Sequence, residues 1–184
     1  MNYSGIKTHD VANGIGVRVS LFVSGCTHHC KGCFNAETWD FNFGNPFTEA
    51  EEEQILKALA PSYIKGFSLL GGEPFEPQNQ RVLTPLLKKI KETYPDKTIW
   101  CYSGYLYDEE LLGESRAKCE VTAEMLSYID ILVDGEFHEA EKNLNLKFRG
   151  SENQRIIDVP ASLKSKSVVL ATEFMETKGR KQHG

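Results

Sequence analysis

Residues 17–35 read VRVSLFVSGCTHHCKGCFN, an apolar, β-branched run that passes directly into a cysteine-rich loop. The run Val17–Val23 predicts a strand, which Ser24 and Gly25 end. Three cysteines follow at the spacing CxxxCxxC, namely Cys26, Cys30 and Cys33. Thiolates are soft ligands that suit iron–sulfur clusters or zinc, and three of them on one loop leave an open coordination position. The stretch therefore predicts a strand followed by a reactive metal centre.

The competing interpretation of the cysteine loop is a zinc site, with His28 or His29 as the fourth ligand. A histidine inside the loop would face a strained geometry, and no second CxxC or HxxxH pair follows to complete a zinc ribbon or finger. A disulfide framework does not suit an odd count of five cysteines in an intracellular chain. The spacing favours an iron–sulfur cluster, and both histidines are then expected to be exposed loop residues.

The composition indicates an ordinary globular chain. Its 184 residues include 26 acidic and 21 basic side chains, for a net charge of -5. A mildly acidic chain has no electrostatic reason to bind nucleic acid, and no apolar run is long enough to cross a bilayer. The N-terminus lacks the basic start and apolar stretch of a secretory signal. These features predict a cytoplasmic protein with neither a nucleic-acid nor a membrane partner.

Beyond the cysteine loop, predicted strands and helices alternate, which favours parallel βαβ units. Thr48 with Glu51 has the form of a capping box, so a helix should begin there and run to about Ala60. The other expected elements are strands at 66–70, 98–102 and 129–133, a helix at 84–93 with Pro85 in its first turn, and a partly helical stretch at 111–128. Open α/β sheets and barrels hold ligands at the carboxyl ends of their strands. One composite site is expected there, from Cys26, Gly71, Ser103 and Asp134.

The chain is expected to divide into a core domain, residues 1–160, and a C-terminal extension, residues 161–184. No internal repeat or low-complexity linker interrupts the core. In the extension, residues 167–172 (SVVLAT) favour an edge strand. Residues 178–184 (KGRKQHG) are basic, polar and bounded by glycine, a composition typical of disorder.

Each motif at a strand end is a candidate ligand contact and also has a plainer structural interpretation. Gly71 and Gly72 let backbone approach a ligand closely, although a Gly-Gly pair also marks many turns. Ser103 could reach a ligand or belong to a tight turn. Asp134 could bind a ribose hydroxyl or a cation, or cap the next segment. Glu73 could accept a hydrogen bond behind the ligand or lie at the surface.

Together, these motifs resemble the signature of radical S-adenosylmethionine enzymes, in which CxxxCxxC is followed by an aromatic residue, here Phe34, and later by Gly-Gly-Glu, here Gly71 to Glu73. The resemblance implies an α/β fold, a partial (incomplete) β/α barrel with parallel strands. It also implies a 4Fe–4S cluster on three cysteines, whose open iron chelates the methionine moiety of S-adenosylmethionine. Reduction would then break the sulfonium C–S bond, giving methionine and a 5′-deoxyadenosyl radical.

The same resemblance implies where the cofactors bind. The expected metal ligands are Cys26, Cys30 and Cys33, and no catalytic residue is expected beyond them. The expected contacts to S-adenosylmethionine are Lys31, Gly32, Cys33, Phe34, Gly71, Gly72, Glu73, Ser103 and Asp134. Among these, the backbone of the Gly-Gly-Glu element would meet the methionine amino group, and the end of the cysteine loop would pack the adenine.

A longer series of matches resembles the narrower family that activates anaerobic ribonucleoside-triphosphate reductases. It covers roughly positions 1–160 and includes residues 13–18, 21–26, 34–35, 38–39, 72–74, 77–79, 100, 102–105, 133–135, 148–151 and 153–155. It implies hydrogen abstraction from a glycine near the C-terminus of the reductase large subunit, with a low-potential electron donor such as flavodoxin. Arg149 and Arg155 are candidates to grip that partner, because a guanidinium forms a planar fork for carboxylates.

Some features of the chain depart from this family or leave other functions open. Residues 113–120 (GESRAKCE) look inserted, and the tail beyond Pro160 is unmatched. The alternatives are an activase of another glycyl-radical enzyme such as pyruvate formate-lyase, a radical enzyme acting on a small molecule such as a deazaguanine synthase, and a zinc-stabilised binding module. The FRGSxNQR stretch at 148–155 argues against the first two alternatives.

Overall fold

The computed structural model describes residues 1–175 as a seven-stranded mixed sheet with helices packed on one face. The strands are β1 Asn2–Asp10, β2 Val17–Val23, β3 Asn45–Pro46, β4 Ile64–Gly71, β5 Thr98–Tyr102, β6 Ile131–Asp134 and β7 Arg155–Asp158. The helices are α1 Glu49–Leu59, α2 Pro77–Thr93, α3 Thr122–Tyr128 and α4 Val159–Ser165, with a 3-10 helix at Ala36–Trp39 and a π-helical turn at Tyr107–Leu111. The strand order across the sheet is β3-β1-β2-β4-β5-β6-β7.

The four central strands are parallel, since β2 pairs with β4, β4 with β5 and β5 with β6. Both sides of the sheet are antiparallel, because β1 pairs with β2 and β3, and β7 returns along β6. The predicted α/β class is therefore confirmed, while the expectation of parallel strands holds only for the centre of a mixed sheet. The partial barrel implied by the family resemblance stays a prediction. Parallel central strands bring four carboxyl ends to one edge of the sheet.

Local sequence signals located α1 better than α2. The capping box of α1 is present, with the amide of Thr48 donating to Glu51 at 2.7 Å. The predicted start of α2 is wrong, because the helix begins at Pro77 and Pro85 lies inside it. Its first turns, PQNQR, lack the apolar periodicity by which helices are recognised, since the buried side chains there are the amides Asn79 and Gln80.

Outside the parallel centre of the sheet, the sequence pattern does not predict two strands that form and predicts one that does not. The strand β1 reads NYSGIKTHD and is mostly half-exposed, so it lacks the buried alternation that marks a strand. The short β7 was likewise not predicted. The edge strand expected at 167–172 is wrong, because that segment makes one bridge, Ile157 to Leu170, before a 3-10 helix at Thr172–Phe174.

The main core lies between the helices and one face of the sheet. Alternate residues of β2 point into it, namely Val19, Leu21 and Val23, and all three are buried. The intervening residues of β2 include the buried polar side chains Arg18 and Ser20 on the opposite face. That second face also carries a smaller apolar cluster around Trp100. The helix-covered face therefore holds the apolar core, and polar groups are buried on the other.

The residues after position 160 pack against the sheet as far as they are described. The domain boundary expected at 160 falls inside α4. Beyond it, Ala171 is buried and the ring of Phe174 lies 5.2 Å from that of Trp100. The disorder expected for 178–184 lies outside the described residues. Within residues 1–175, no helix combines the length and apolar character needed to cross a membrane.

Candidate metal centre and cofactor cavity

The cysteine loop leaves the carboxyl end of β2 and is held by backbone hydrogen bonds at both ends. The amide of Cys26 donates to the carbonyl of Trp39 at 3.2 Å, which ties the loop to the 3-10 helix that follows it. The amide of Cys33 donates to the carbonyl of Cys30 at 3.1 Å and closes the last turn of the loop. The three cysteines therefore stand on a loop that is bound to the 3-10 helix at its start and closed by its own backbone at its end.

A cavity of about 380 Å³ opens beside this loop. Its wall includes the three cysteines together with residues from the ends of β4 and β5, namely Gly71, Gly72, Glu73, Ser103 and Gly104. Its other wall is formed by Phe34, Phe137, Phe148, Arg149 and Gln154, among others. A space of this size is typical of small-molecule and cofactor sites. The structure thus brings residues that follow four strands, β2, β4, β5 and β6, around one cavity, with Gly135 and Phe137 coming from the end of β6.

The three thiols suit an iron–sulfur cluster, in which each cysteine binds a different iron. Among residues 1–175, no three His, Cys, Asp or Glu side chains converge as a ready-made metal site. Burial, and then the charge of Glu73, raise the pKa of the Cys26 thiol to about 12, and burial also raises that of Cys30. A metal centre that binds these sulfurs as thiolates must therefore displace their protons.

Neither histidine of the loop is placed as a fourth zinc ligand. The side chain of His28 is only 3% exposed, with Nε2 lying 3.1 Å from Glu73 and Nδ1 lying 2.6 Å from Glu136. The expectation that His28 is exposed is therefore wrong. Burial alone would lower the pKa of His28, but the hydrogen bonds and charges of the two carboxylates outweigh it and raise that pKa. His29 is exposed, as predicted, with its ring 4.7 Å from that of Trp39.

The Gly71–Gly72 turn packs directly on the cysteine loop. Gly71 adopts a φ of +113°, which favours glycine. A Cβ on Gly72 would lie 2.6 Å from the carbonyl oxygen of Gly25, the residue before Cys26. The amide of Glu73 donates to that same carbonyl at 2.8 Å. The pair of glycines therefore allows the end of β4 to approach the backbone of the cysteine loop closely.

Glu73 is a buried carboxylate in the cavity wall, so the interpretation that it lies at the surface is wrong. It accepts hydrogen bonds from the amides of Phe75 at 2.8 Å and Gly104 at 2.7 Å. The hydroxyl of Ser103 donates to it at 2.9 Å and accepts from the amide of Tyr105 at 3.0 Å. The side chains of Glu73 and Ser103 thus connect the ends of β4 and β5 to each other.

Three of the residues expected to contact the cofactor do not border the cavity. Lys31 is 91% exposed and pairs with Glu139 at 3.3 Å, and Gly32 packs against the same glutamate. Asp134 is fully buried, and its carboxylate accepts from Arg155 and from the amide of Tyr107. Asp134 therefore binds Arg155 and the first amide of the π-helical turn at Tyr107–Leu111, which precedes it in the chain, and neither contact caps the segment that follows it.

The FRGSxNQR stretch is a loop tied largely to itself. Gln154 accepts the amide of Gly150 at 2.8 Å and donates to the carbonyl of Gly135 at 2.9 Å. Arg155 binds Asp134 and Asp108 within the chain, so its guanidinium is already engaged. Arg149 donates to the Gln154 carbonyl at 2.8 Å and borders the cavity, with its Nε buried and unpaired within the described residues.

The cavity also contains residues that the sequence analysis did not assign to a site. The matched segments had already included Asn13, Trp39, Phe148 and Gln154, but without a role in the cavity. No sequence motif marks Phe137 as a site residue. Its ring lies 5.4 Å from that of Phe34. Its position just after the β6 strand end is the signal that could have identified it.

Comparison with known families agrees with the chemistry of the cysteine loop. The family described as a 4Fe–4S single cluster domain matches residues 12–157, most of the described chain. This protein is therefore a member of an iron–sulfur domain family, and the matched region contains the three cysteines and every strand end that borders the cavity.

Curated relatives narrow the class to a particular family. A protein from Pasteurella multocida (strain Pm70) named anaerobic ribonucleoside-triphosphate reductase-activating protein is 44% identical over 158 residues, covering 85% of this chain and 96% of the relative. A protein of the same name from Escherichia coli (strain K12) is 42% identical, over 84% of this chain and 96% of its own length. Another, from Enterobacteria phage T4, is 40% identical, over 85% of this chain and 93% of its own length. The chain belongs to the anaerobic ribonucleoside-triphosphate reductase-activating protein family.

Proposed function

We propose that this chain is the radical S-adenosylmethionine activase of an anaerobic ribonucleoside-triphosphate reductase and works in the cytoplasm. In this proposal, Cys26, Cys30 and Cys33 hold a 4Fe–4S cluster that leaves one iron open. When bound, the cluster supplies the electron that breaks the sulfonium C–S bond of S-adenosylmethionine, giving methionine and a 5′-deoxyadenosyl radical. The observation that most supports the proposal is the cavity shared by the three cysteines and the Gly71–Gly72 turn in a member of this family.

The Gly71–Gly72 turn is suited to the ammonium group of the methionine moiety. The amide of Gly72 donates to Val23 at 2.7 Å, and the amide of Glu73 donates to Gly25 at 2.8 Å. Both donors of the turn are therefore engaged, and the turn can offer an approaching ligand only carbonyl oxygens, which accept from an ammonium group. The Glu73 side chain, held by its own donors, supports the turn rather than the ligand.

Aromatic side chains at the cavity edge suit the adenine. Phe34 and Phe137 border the cavity with their rings 5.4 Å apart, and Lys142 lies 4.8 Å from the Phe34 ring centroid. Stacking against such rings is a common way to hold a flat base. We retain Cys33, Phe34, Gly71, Gly72, Glu73 and Ser103 as cofactor-site residues. We do not retain Lys31, Gly32 and Asp134, because they lie outside the cavity wall.

The protein substrate is proposed to be the reductase large subunit, from which a glycine near the C-terminus loses its hydrogen. Phe34 is 64% exposed at the edge of the cavity, so a partner segment entering there would cover apolar surface. Arg149 borders the same cavity and remains a candidate contact, whereas Arg155 is engaged within the chain. A low-potential donor such as flavodoxin is proposed to deliver the electron.

Anaerobic purification followed by iron and sulfide reconstitution tests this function. The chain should bind about four irons, and Cys26→Ala, Cys30→Ala and Cys33→Ala should each lose the cluster. Cys119→Ala is the matched control, because that cysteine lies outside the cavity and should leave iron binding unchanged. A colourless protein with one zinc, or iron binding that survives all three substitutions, would refute the proposed cluster.

The reaction and the partner are tested separately. Incubation of the loaded protein with S-adenosylmethionine and a reductant should yield 5′-deoxyadenosine. Addition of the anaerobic reductase should then produce the doublet of a glycyl radical in electron paramagnetic resonance. A doublet formed only on another glycyl-radical enzyme, such as pyruvate formate-lyase, would contradict the proposed partner.

A further inference from the structure

The imidazole of His28 links parts of the site that are far apart in the chain. Its Nε2 lies 3.1 Å from Oε2 of Glu73, in the turn after β4, and its Nδ1 lies 2.6 Å from Oε1 of Glu136, in the loop after β6. Its ring also packs on Tyr105, beyond the end of β5, with centroids 4.3 Å apart. One side chain of the cysteine loop therefore contacts segments that follow three other strands.

Glu73 is already held from the other side by rigid donors. The amides of Phe75 and Gly104 and the hydroxyl of Ser103 bind its carboxylate at 2.7–2.9 Å. Among the hydrogen bonds to this carboxylate in the described part of the chain, only that of His28 comes from the cysteine loop. The imidazole therefore links the Glu73 carboxylate to the cysteine loop, in addition to the backbone bond from the Glu73 amide to Gly25 and the bonds from Thr27 to Glu76.

The surroundings of the ring leave it little freedom. A Cβ on Gly104 would lie 2.7 Å from Nε2 of His28, so the absence of a side chain at 104 makes room for the ring. Arg116 lies on the outer side, with Nη2 3.4 Å from Nδ1 and Nε donating to the hydroxyl of Tyr105 at 2.8 Å. The segment 113–120, which looks inserted, therefore contributes a side chain next to the imidazole.

We propose that His28 is a positioning residue that bridges Glu73 and Glu136 and thereby holds the cysteine loop against the Gly71–Gly72 turn. Both ring nitrogens face carboxylate oxygens, which only accept, so the two hydrogen bonds set the orientation of the ring. The consequence for catalysis rests on the proposed function. In that function, the bridge keeps the sulfur ligands and the turn that faces the cofactor in a fixed position relative to each other. His29, the next residue, is exposed and takes no part in the bridge.

Hydrogen–deuterium exchange of the full-length chain, before iron is added, tests the bridge. In His28→Asn, the shorter side chain cannot span both carboxylates, and the backbone amides of Cys26 and Gly104 should exchange about tenfold faster or more. His29→Asn is the matched control at the neighbouring position, and its exchange at these amides should stay within about twofold of the wild type. Unchanged exchange in His28→Asn, or equal acceleration in both variants, would overturn the proposal.

A second variant keeps the test decisive if His28→Asn folds poorly. Glu136 is 47% exposed, so Glu136→Ala removes the acceptor at one end of the bridge without burying a new polar group. It should accelerate exchange less than His28→Asn and add little in the double variant, because the bridge is already broken. Fully additive effects of the two substitutions would show that the residues act independently and would overturn the bridge.

Measurements on the protein with its cluster bound distinguish a positioning role of His28 from a general effect on stability. With the cluster reconstituted, His28→Asn should retain its iron but need about tenfold more S-adenosylmethionine to produce the same change in the resonance spectrum of the reduced cluster. An unchanged titration midpoint would overturn the positioning role. A wild-type chain that neither binds a cluster nor responds to S-adenosylmethionine would instead refute the proposed function and leave the exchange result standing.

Discussion

Gly72→Ala is expected to force the cysteine loop away from the end of β4. A Cβ at this position would lie 2.6 Å from the carbonyl oxygen of Gly25 and 3.0 Å from that of Thr38. Both contacts are with backbone, so neither can be relieved by rotation of a flexible side chain. The Gly25 carbonyl also accepts the amide of Glu73 at 2.8 Å, and relief of the clash would lengthen that hydrogen bond.

The expected loss of stability follows from the size of this clash. Inserting a methyl group where packing is already tight costs about 1–3 kcal/mol. In a chain of this size each kcal/mol lowers the thermal midpoint by about 2–4 °C, so the midpoint should fall by roughly 2–12 °C. Thermal unfolding followed by circular dichroism measures the shift. The displaced loop should also retain less iron after reconstitution.

Gly5→Ala is the matched control for this substitution. No heavy atom lies within 4 Å of the Cβ that alanine would add at position 5. Replacing glycine by alanine also reduces the freedom of the unfolded chain, and that effect is common to both variants. The midpoint of Gly5→Ala should therefore equal or slightly exceed that of the wild type. Equal midpoints for Gly72→Ala and Gly5→Ala would refute the close approach of the turn to the cysteine loop.

Two further substitutions test the polar groups buried on the face of the sheet opposite the helices. Burial opposes ionisation of Asp10, but hydrogen bonds from Ser20, Asn13 and a backbone amide outweigh it and hold its pKa below the ordinary 3.8. Because the folded-state pKa is the lower one, this carboxylate stabilises the fold above about pH 4, and the contribution is lost as the pH falls through the folded pKa. Asp10→Asn should thus be less stable than the wild type at pH 7 and lose less stability between pH 7 and pH 3. Midpoints of urea unfolding at the two pH values measure this, and equal losses in the variant and the wild type would contradict it. Arg18 is fully buried and makes five hydrogen bonds. Arg18→Met should leave carbonyl groups unpaired and lower the free energy of unfolding, measured in urea, by more than about 3 kcal/mol. A loss under about 1 kcal/mol would refute the anchoring role of Arg18.

The sequence predicted best those features that depend on neighbours in the chain. The cysteine spacing, the capping box at Thr48 and the apolar central strands are local patterns, and the capping box and the parallel centre of the sheet are confirmed. The sequence predicted the positions of helices and strands less well where a segment lacks an apolar pattern. The first turns of α2 were missed because the buried side chains there are amides, and β1 was missed because it is half-exposed.

The site residues show the same difference between features set by neighbours in the chain and contacts between distant segments. Sequence alone identified Glu73 and Ser103 but not that they bind each other. It left two interpretations of Asp134, and the structure shows a third arrangement, in which Asp134 binds Arg155 and the amide of Tyr107. His28 was expected to be exposed, because no local pattern marks a histidine between two cysteines as buried. Its carboxylate partners lie 45 and 108 positions further along the chain.

The amino-acid sequence by itself determined the candidate ligands of this protein, three thiols on one loop after a strand, and the glycine turn that accompanies them. Tertiary structure alone decided which expected residues border the cavity, excluding Lys31, Gly32 and Asp134 and adding Phe137. The physical reason is that the type and spacing of candidate ligands are properties of neighbouring residues. Burial and the choice of a hydrogen-bond partner depend on groups that only the folded sheet brings together.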